Sequence, residues 1–181
     1  MNKNEARSKA LKLRKNENKA ISSEVALNSL LEMGILNDIN HIGIYYPIGK
    51  EINIIDIVNK FPDKKFYLPI TRDDISFIEY KLNDNLVDGP FNTKEPIGDI
   101  VNRSRIECFI IPCVSVGNGN RRIGYGKGYY DRYLDGYEGI KIGICYKSGI
   151  NLDVICDEHD IILDYVIAGW LYGKCSASYG W

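Results

Sequence analysis

Residues 107–112, ECFIIP, limit the fold more than any other stretch of this chain. A continuous apolar run of this length is too short for a buried helix and suits a strand covered on both faces, as in a parallel sheet. Similar runs recur: HIGIYY stopped by Pro47, KFYLPI, ISFIEY, IKIGICY and IILDYVIA. Between them lie helix-like segments. Residues 4–20 hold helix-forming Ala, Leu, Lys, Arg and Glu without Gly or Pro, a mostly polar helix in which Leu11 has few apolar partners. SSEVALNSLLEMG predicts a second helix, capped by Ser22 or Ser23 and ended by Gly34. INIIDIVNKF has helical spacing behind Asn53, and NDNLVDGPFNTKEP reads as a long loop. Strands alternating with helices predict an α/β protein with a mostly parallel sheet, and no repeat or linker divides residues 1–181 into more than one domain.

Four residues after ECFIIP comes GNGNRRIGYGKGYYDRYLDG, residues 117–136, whose first five glycines, Gly117, Gly119, Gly124, Gly126 and Gly128, crowd around Arg121, Arg122 and Lys127. Dense glycine marks turns or a close backbone approach to a ligand. Ligands of open α/β sheets bind beyond the carboxyl ends of the strands, where this stretch falls. Backbone N–H groups freed by glycine can turn towards one anion, and a helix start at GKGYYDRYL, ended by Gly136, would add more donors. Phosphate is the natural candidate. Neither familiar phosphate loop is present: a P-loop needs Ser or Thr after Gly-Lys, where this chain has Gly128, and the glycine spacing is GxGxG rather than GxGxxG. A mobile linker of glycine and charge would seldom carry four tyrosines, Tyr125, Tyr129, Tyr130 and Tyr133.

The 23 basic and 24 acidic residues nearly cancel, giving a formal net charge of −1. That argues against a nucleic-acid-binding module, which carries a concentrated basic patch. Cys108, Cys113, Cys145, Cys156 and Cys175 form no CxxC pair and are odd in number, and the N-terminus is charged where a signal peptide is apolar. A reducing cytoplasm is the expected compartment. No apolar run approaches the roughly 20 residues that span a bilayer, so a soluble protein that does not enter membranes is expected. No His or Cys cluster suggests zinc, and His41 and His159 read as structural.

The segment RRIGYGKGYYDRYL closely resembles the signature of the 5-formyltetrahydrofolate cyclo-ligase (methenyltetrahydrofolate synthetase) family: an apolar-Pro pair, a short loop, then Arg-Leu-Gly-x-Gly-x-Gly-Tyr-Tyr-Asp-Arg. Ile111-Pro112 precede the loop, and Ile123 replaces Leu. Lys3 and Arg7 fit an N-terminal Lys-x-x-x-Arg, while IGIYYPIGKEINI, KEP and HDIILDYVI fit further segments, so the resemblance runs from about residue 3 to 167. It implies a single-domain three-layer α/β/α sandwich, a small-molecule folate substrate and, as expected here, a monomer.

The resemblance also implies chemistry: ATP and Mg2+ are used to convert 5-formyltetrahydrofolate into 5,10-methenyltetrahydrofolate, ADP and phosphate. ATP phosphorylates the formyl oxygen, and N10 attacks the resulting iminium phosphate. Phosphoryl transfer rests on fixed cations and backbone donors. Lys127 and Arg122 would be catalytic. Lys3, Arg7, Arg122, Gly124, Tyr125, Gly126, Lys127, Gly128, Tyr129 and Tyr130 would bind ATP. Lys3 and Arg7, four apart, share one helix face, where charge is commonly just solvated. Tyr46 and Glu51 fall where the family contacts folate, with Tyr129 and Tyr130 as aromatic surface. Asp131 and Asp164 match metal positions; magnesium needs only one or two carboxylates beside phosphate and water. Where relatives carry Phe-Asp before the glycine loop, this chain has Val116-Gly117, and Asn120 replaces a glycine. The changes at Val116 and Gly117 favour a rival reading, a non-catalytic nucleotide- or folate-binding protein of the same fold, while Lys127 and Asp131 argue against it. An ATP-dependent ligase for a related heterocycle is a second rival. No role attaches to the ending GWLYGKCSASYGW.

Overall fold

The computed structural model describes residues 1–168 and the backbone of 171–174. Helix α1, Lys3–Leu13, starts in a capping box: Asn2 accepts from the Glu5 amide, and the Glu5 carboxylate accepts from the Asn2 amide. The helix docks through two alanines, Ala6 and Ala10, so the contact depends on close approach rather than bulk. It does not run on to residue 20. A 3-10 turn, Arg14–Asn16, follows, and α2, Lys19–Glu32, begins behind Asn18, whose side chain accepts from the Ile21 amide. Asn18 therefore takes the capping role expected of Ser22 or Ser23, and Ser23 instead accepts from Asn53 N. Gly34, at φ 72°, ends this segment in the left-handed region as expected.

The remaining elements are β1 His41–Gly43, α3 Ile57–Lys60, β2 Lys65–Thr71, β3 Ile75–Tyr80, β4 Val87–Asp88, β5 Lys94–Glu95, β6 Cys108–Pro112, β7 Ser115–Val116, β8 Arg122–Ile123, α4 Tyr129–Tyr133, β9 Ile140–Cys145, β10 Tyr165–Ala168 and β11 Leu171–Lys174. One seven-stranded sheet has the order β11-β10-β9-β6-β1-β2-β3. Its five inner strands are mutually parallel, and β3 and β11 add antiparallel edges. Each face carries its own core. Ala26 and Leu30 of α2 and Ile57 of α3 pack with Ile42, Leu68, Ile110 and Ile142 on one side; Leu134 beyond α4 packs with Tyr67, Phe77, Phe109 and Ile111 on the other. This is a three-layer α/β/α arrangement. At Gly43 a Cβ would stand 2.3 Å from the Phe109 ring, so only glycine lets that ring lie across β1.

Three local expectations differ. The helix at 52–61 is only the turn α3, the loop at 83–96 contains the small hairpin β4-β5, and β10 begins at Tyr165 rather than at Ile161. The four described cysteines, Cys108, Cys113, Cys145 and Cys156, are free thiols, and Cys175 lies outside the described residues, as does most of the C-terminal ending. Among the described residues no helix is long and apolar enough to cross a membrane.

Candidate active site

The chain leaves β1 towards β2 on one side, while β6, β9 and β10 build the sheet on the other, so the strand order reverses between β1 and β6. A crevice opens at the carboxyl ends of strands at such a switch point. Here it is a cavity of about 680 Å³, walled by Tyr45 and Tyr46 after β1, Thr71 at the end of β2 and Pro112 at the end of β6. Residues 123–131 cover it, α1 lends Lys3 and Arg7, and the β4-β5 hairpin lends Phe91, Thr93 and Lys94. Of the fourteen residues the sequence singles out, thirteen line this one cavity: Lys3, Arg7, Tyr46, Glu51, Arg122, Gly124, Tyr125, Gly126, Lys127, Gly128, Tyr129, Tyr130 and Asp131.

The glycine stretch divides in two. Residues 117–121 turn the β7-β8 hairpin, and only the second part, residues 123–131, reaches the cavity. Gly126 and Gly128 have φ of 97° and 71°, conformations that side chains resist. Among the described residues none of the backbone N–H groups of residues 124–128 donates a hydrogen bond. Consecutive free N–H groups in a glycine turn form an anion-binding concavity. The helix dipole expected to assist is small, because α4 is five residues long.

Cations surround this loop. Arg122 is only 6 % exposed. Its Nε donates to Pro112 O at 2.9 Å, and its guanidinium lies 4.6 Å from the Tyr130 ring centroid. Arg7 Nε donates to Gly124 O at 2.7 Å, so part of this guanidinium holds the loop. Lys127 is exposed, with Nζ 5.7 Å from the centroid of the Phe91 ring. Lys3 Nζ contacts both oxygens of Asp160 at 2.7 Å and Asp157 Oδ2 at 2.8 Å. Burial works against the Lys3 charge, but these carboxylates outweigh it and raise its pKa.

Between β1 and α3, Glu51 is 7 % exposed, and its Oε2 accepts from Ile48 N at 2.8 Å. Burial raises its pKa, against the Ile48 amide, Arg14, Arg122 and Tyr125, which favour the anion. Asp131 Oδ1 accepts from Ile161 N at 3.3 Å.

Asp164 is the exception: it does not line the cavity. It immediately precedes β10, at the amino end of the parallel strands, where its carboxylate accepts from Lys141 N at 2.8 Å and pairs with Lys141 Nζ at 3.6 Å. The second aspartate at the cavity, beside Asp131, is Asp160, four residues before Asp164, in the acidic run DEHD, where nothing in the sequence separated it from its neighbours. Arg14, Tyr45 and Phe91 were also missed; Phe91 had no signal beyond membership of a polar loop. The departures at Val116, Gly117 and Asn120 lie in the β7-β8 hairpin and do not line the cavity. A Cβ at Gly117 would meet Cys156 Sγ at 2.4 Å, so glycine accommodates the 154–156 segment.

The chain is similar to known proteins over nearly its whole length. Residues 2–169 match the family model described as the 5-formyltetrahydrofolate cyclo-ligase family. A 5-formyltetrahydrofolate cyclo-ligase of Mycoplasma pneumoniae is 35 % identical over 71 % of this chain and 73 % of its own, and one of Mycoplasma genitalium is 32 % identical over 76 % and 92 %. Among solved structures, a 5,10-methenyltetrahydrofolate synthetase of Aquifex aeolicus superposes with a TM-score of 0.85 at 25 % identity, covering 99 % of this chain and 95 % of that one. The synthetase of Mycoplasma pneumoniae gives 0.74 at 29 %, covering 92 % and 98 %. With this sheet, this cavity and these relatives, the chain belongs to the 5-formyltetrahydrofolate cyclo-ligase family of enzymes.

Proposed function

We propose that the protein converts 5-formyltetrahydrofolate and ATP into 5,10-methenyltetrahydrofolate, ADP and phosphate within the cavity at residues 123–131. The observation that carries this reading is the run of free backbone N–H groups at 124–128, with Arg7, Arg122 and Lys127 and the buried Glu51 lining the same cavity. A triphosphate suits the amides and cations. A flat pterin with N–H edges suits Glu51, which accepts hydrogen bonds, with Tyr46, Tyr129 and Tyr130 as aromatic surface.

The formyl group on N5 is an amide-like carbonyl, a poor electrophile. Transfer of the γ-phosphoryl group to its oxygen makes a bond from oxygen to phosphorus and breaks the bond to ADP. N10 then attacks the formyl carbon and gives up its proton to solvent, and phosphate departs with the former formyl oxygen. The protein's part is positioning and charge: Lys127 and Arg122 neutralise the transferring group, and the loop amides hold its oxygens.

Asp131 would hold a magnesium ion at the cavity, since a hard cation that also takes water and phosphate oxygens needs only one or two carboxylates from the protein; Asp160 lines the cavity too, but both its oxygens are on Lys3. When bound it would offset phosphate charge. Among the described residues no three His, Cys, Asp or Glu side chains gather into a full metal cage. The non-catalytic reading loses its motive, because the substitutions that favoured it lie off the cavity. In the deciding assay, purified protein with ATP, magnesium and 5-formyltetrahydrofolate develops the methenyl chromophore, and Lys127→Ala loses at least about a hundredfold in rate. No chromophore from wild type refutes the function; an undiminished Lys127→Ala refutes the role of Lys127.

A further inference from the structure

Two arginines lie on one side of the N-terminal helix and its 3-10 extension, Arg7 and Arg14, seven residues or about two turns apart. They grip successive residues of the glycine loop. Arg7 holds Gly124 O; Arg14 Nη2 contacts the Tyr125 hydroxyl at 3.0 Å, with its guanidinium carbon 5.6 Å from the Tyr125 ring centroid. Tyr125 in turn lies beside Glu51, whose negative charge its hydroxyl favours. Arg14 and Glu51 also share the wall of a recess of about 10 Å³ behind the main cavity, together with Tyr45, Cys113 and Tyr146.

The groups that interact with Glu51 come from every element around it: Arg14 from the 3-10 turn, Arg122 from β8, Tyr125 from the loop, Tyr45 after β1, Cys113 after β6 and Tyr130 from α4. Burial pushes the Tyr45 and Tyr130 hydroxyls up and the Cys113 thiol up to about 11, so these three are neutral at physiological pH. Two arginines, Arg14 and Arg122, oppose the carboxylate with charge. Arg122 is already bonded to Pro112 O and stacked on Tyr130.

We propose that Arg14 is a positioning residue for the folate subsite, holding Tyr125 against Glu51 and presenting the Glu51 carboxylate to the substrate as an anion. This deepens the reading of Glu51 as a folate contact and rests on it.

The test compares wild type, Arg14→Gln and Arg14→Lys by two readouts. In the first, the Glu51 carboxyl carbon is titrated by 13C NMR without any substrate, its signal assigned by its loss in Glu51→Gln. Removing a nearby cation disfavours the anion, so the midpoint is expected to move to higher pH in Arg14→Gln and back towards wild type in Arg14→Lys. In the second, the KM for 5-formyltetrahydrofolate rises in Arg14→Gln by roughly threefold at pH 6, as suits a partly screened charge contact, and by less at pH 8, while kcat stays within about twofold. An unmoved midpoint, or a loss in kcat with KM unchanged, overturns the proposal. If wild type forms no methenyl product, the functional reading fails on its own, and the titration still decides whether Arg14 acts on Glu51.

Discussion

Gly124→Ala probes how tightly the loop and its buried cation fit. A Cβ at position 124 would stand 2.6 Å from Arg122 Nη1, 2.9 Å from Nη2 and 3.0 Å from Cζ, where ordinary contacts begin near 3.4 Å. A free guanidinium would swing aside at little cost. This one is tethered by its Nε bond to Pro112 O and its stacking on Tyr130. Moving it forfeits a charge-assisted hydrogen bond, about 1.5–3 kcal/mol, and part of a cation–π contact, about 0.5–2 kcal/mol, so a loss of roughly 2–4 kcal/mol is expected. Urea unfolding of wild type and variant reads the cost as stability, and kcat/KM reads whatever part is spent on displacing Arg122. Gly119→Ala is the control: its φ is 66° but nothing lies within 4 Å of the added Cβ, leaving only backbone strain of about 1–2 kcal/mol and no effect on the cavity. If Gly124→Ala stays within about 0.5 kcal/mol of wild type with full activity, Arg122 is not fixed as described.

Two further outcomes follow from the same geometry. Glu51→Gln removes a carboxylate whose pKa is raised by burial; such a group costs the fold stability once pH rises above its unfolded value, so the variant should melt higher at pH 7, by about 2–4 °C if roughly 1 kcal/mol is recovered, while its KM for folate rises. A lower melting temperature at pH 7 would contradict this sign. Asp131→Asn should raise the magnesium concentration needed for half-maximal rate about tenfold or more, whereas Asp164→Asn should leave it unchanged and cost only the Lys141 contacts, read as a small drop in thermal stability.

The sheet was legible from short apolar runs alone, because a strand buried on both faces admits little but apolar residues, as Cys108–Pro112 illustrates. The cavity loop was legible because five glycines with cations and tyrosines have few other uses. What failed depended on tertiary partners. Ser22 and Ser23 are sound caps by residue type, but Asn18 stands where the chain leaves the 3-10 turn and Ser23 is engaged by Asn53. Asp164 looked like a polar break inside a strand; since β10 starts only at Tyr165, it sits at the end of the sheet away from the cavity, and Asp160 lines the cavity instead. Nor could glycine content alone show that residues 117–121 turn a hairpin while 124–128 line the cavity with amides that donate no hydrogen bond.

The most direct measurement follows one oxygen atom. With 18O in the formyl group of 5-formyltetrahydrofolate and unlabelled ATP and water, turnover should deliver the label to inorganic phosphate, one atom per methenyl product formed. Label appearing in water, with unlabelled phosphate, would contradict phosphoryl transfer to the formyl oxygen at the glycine loop.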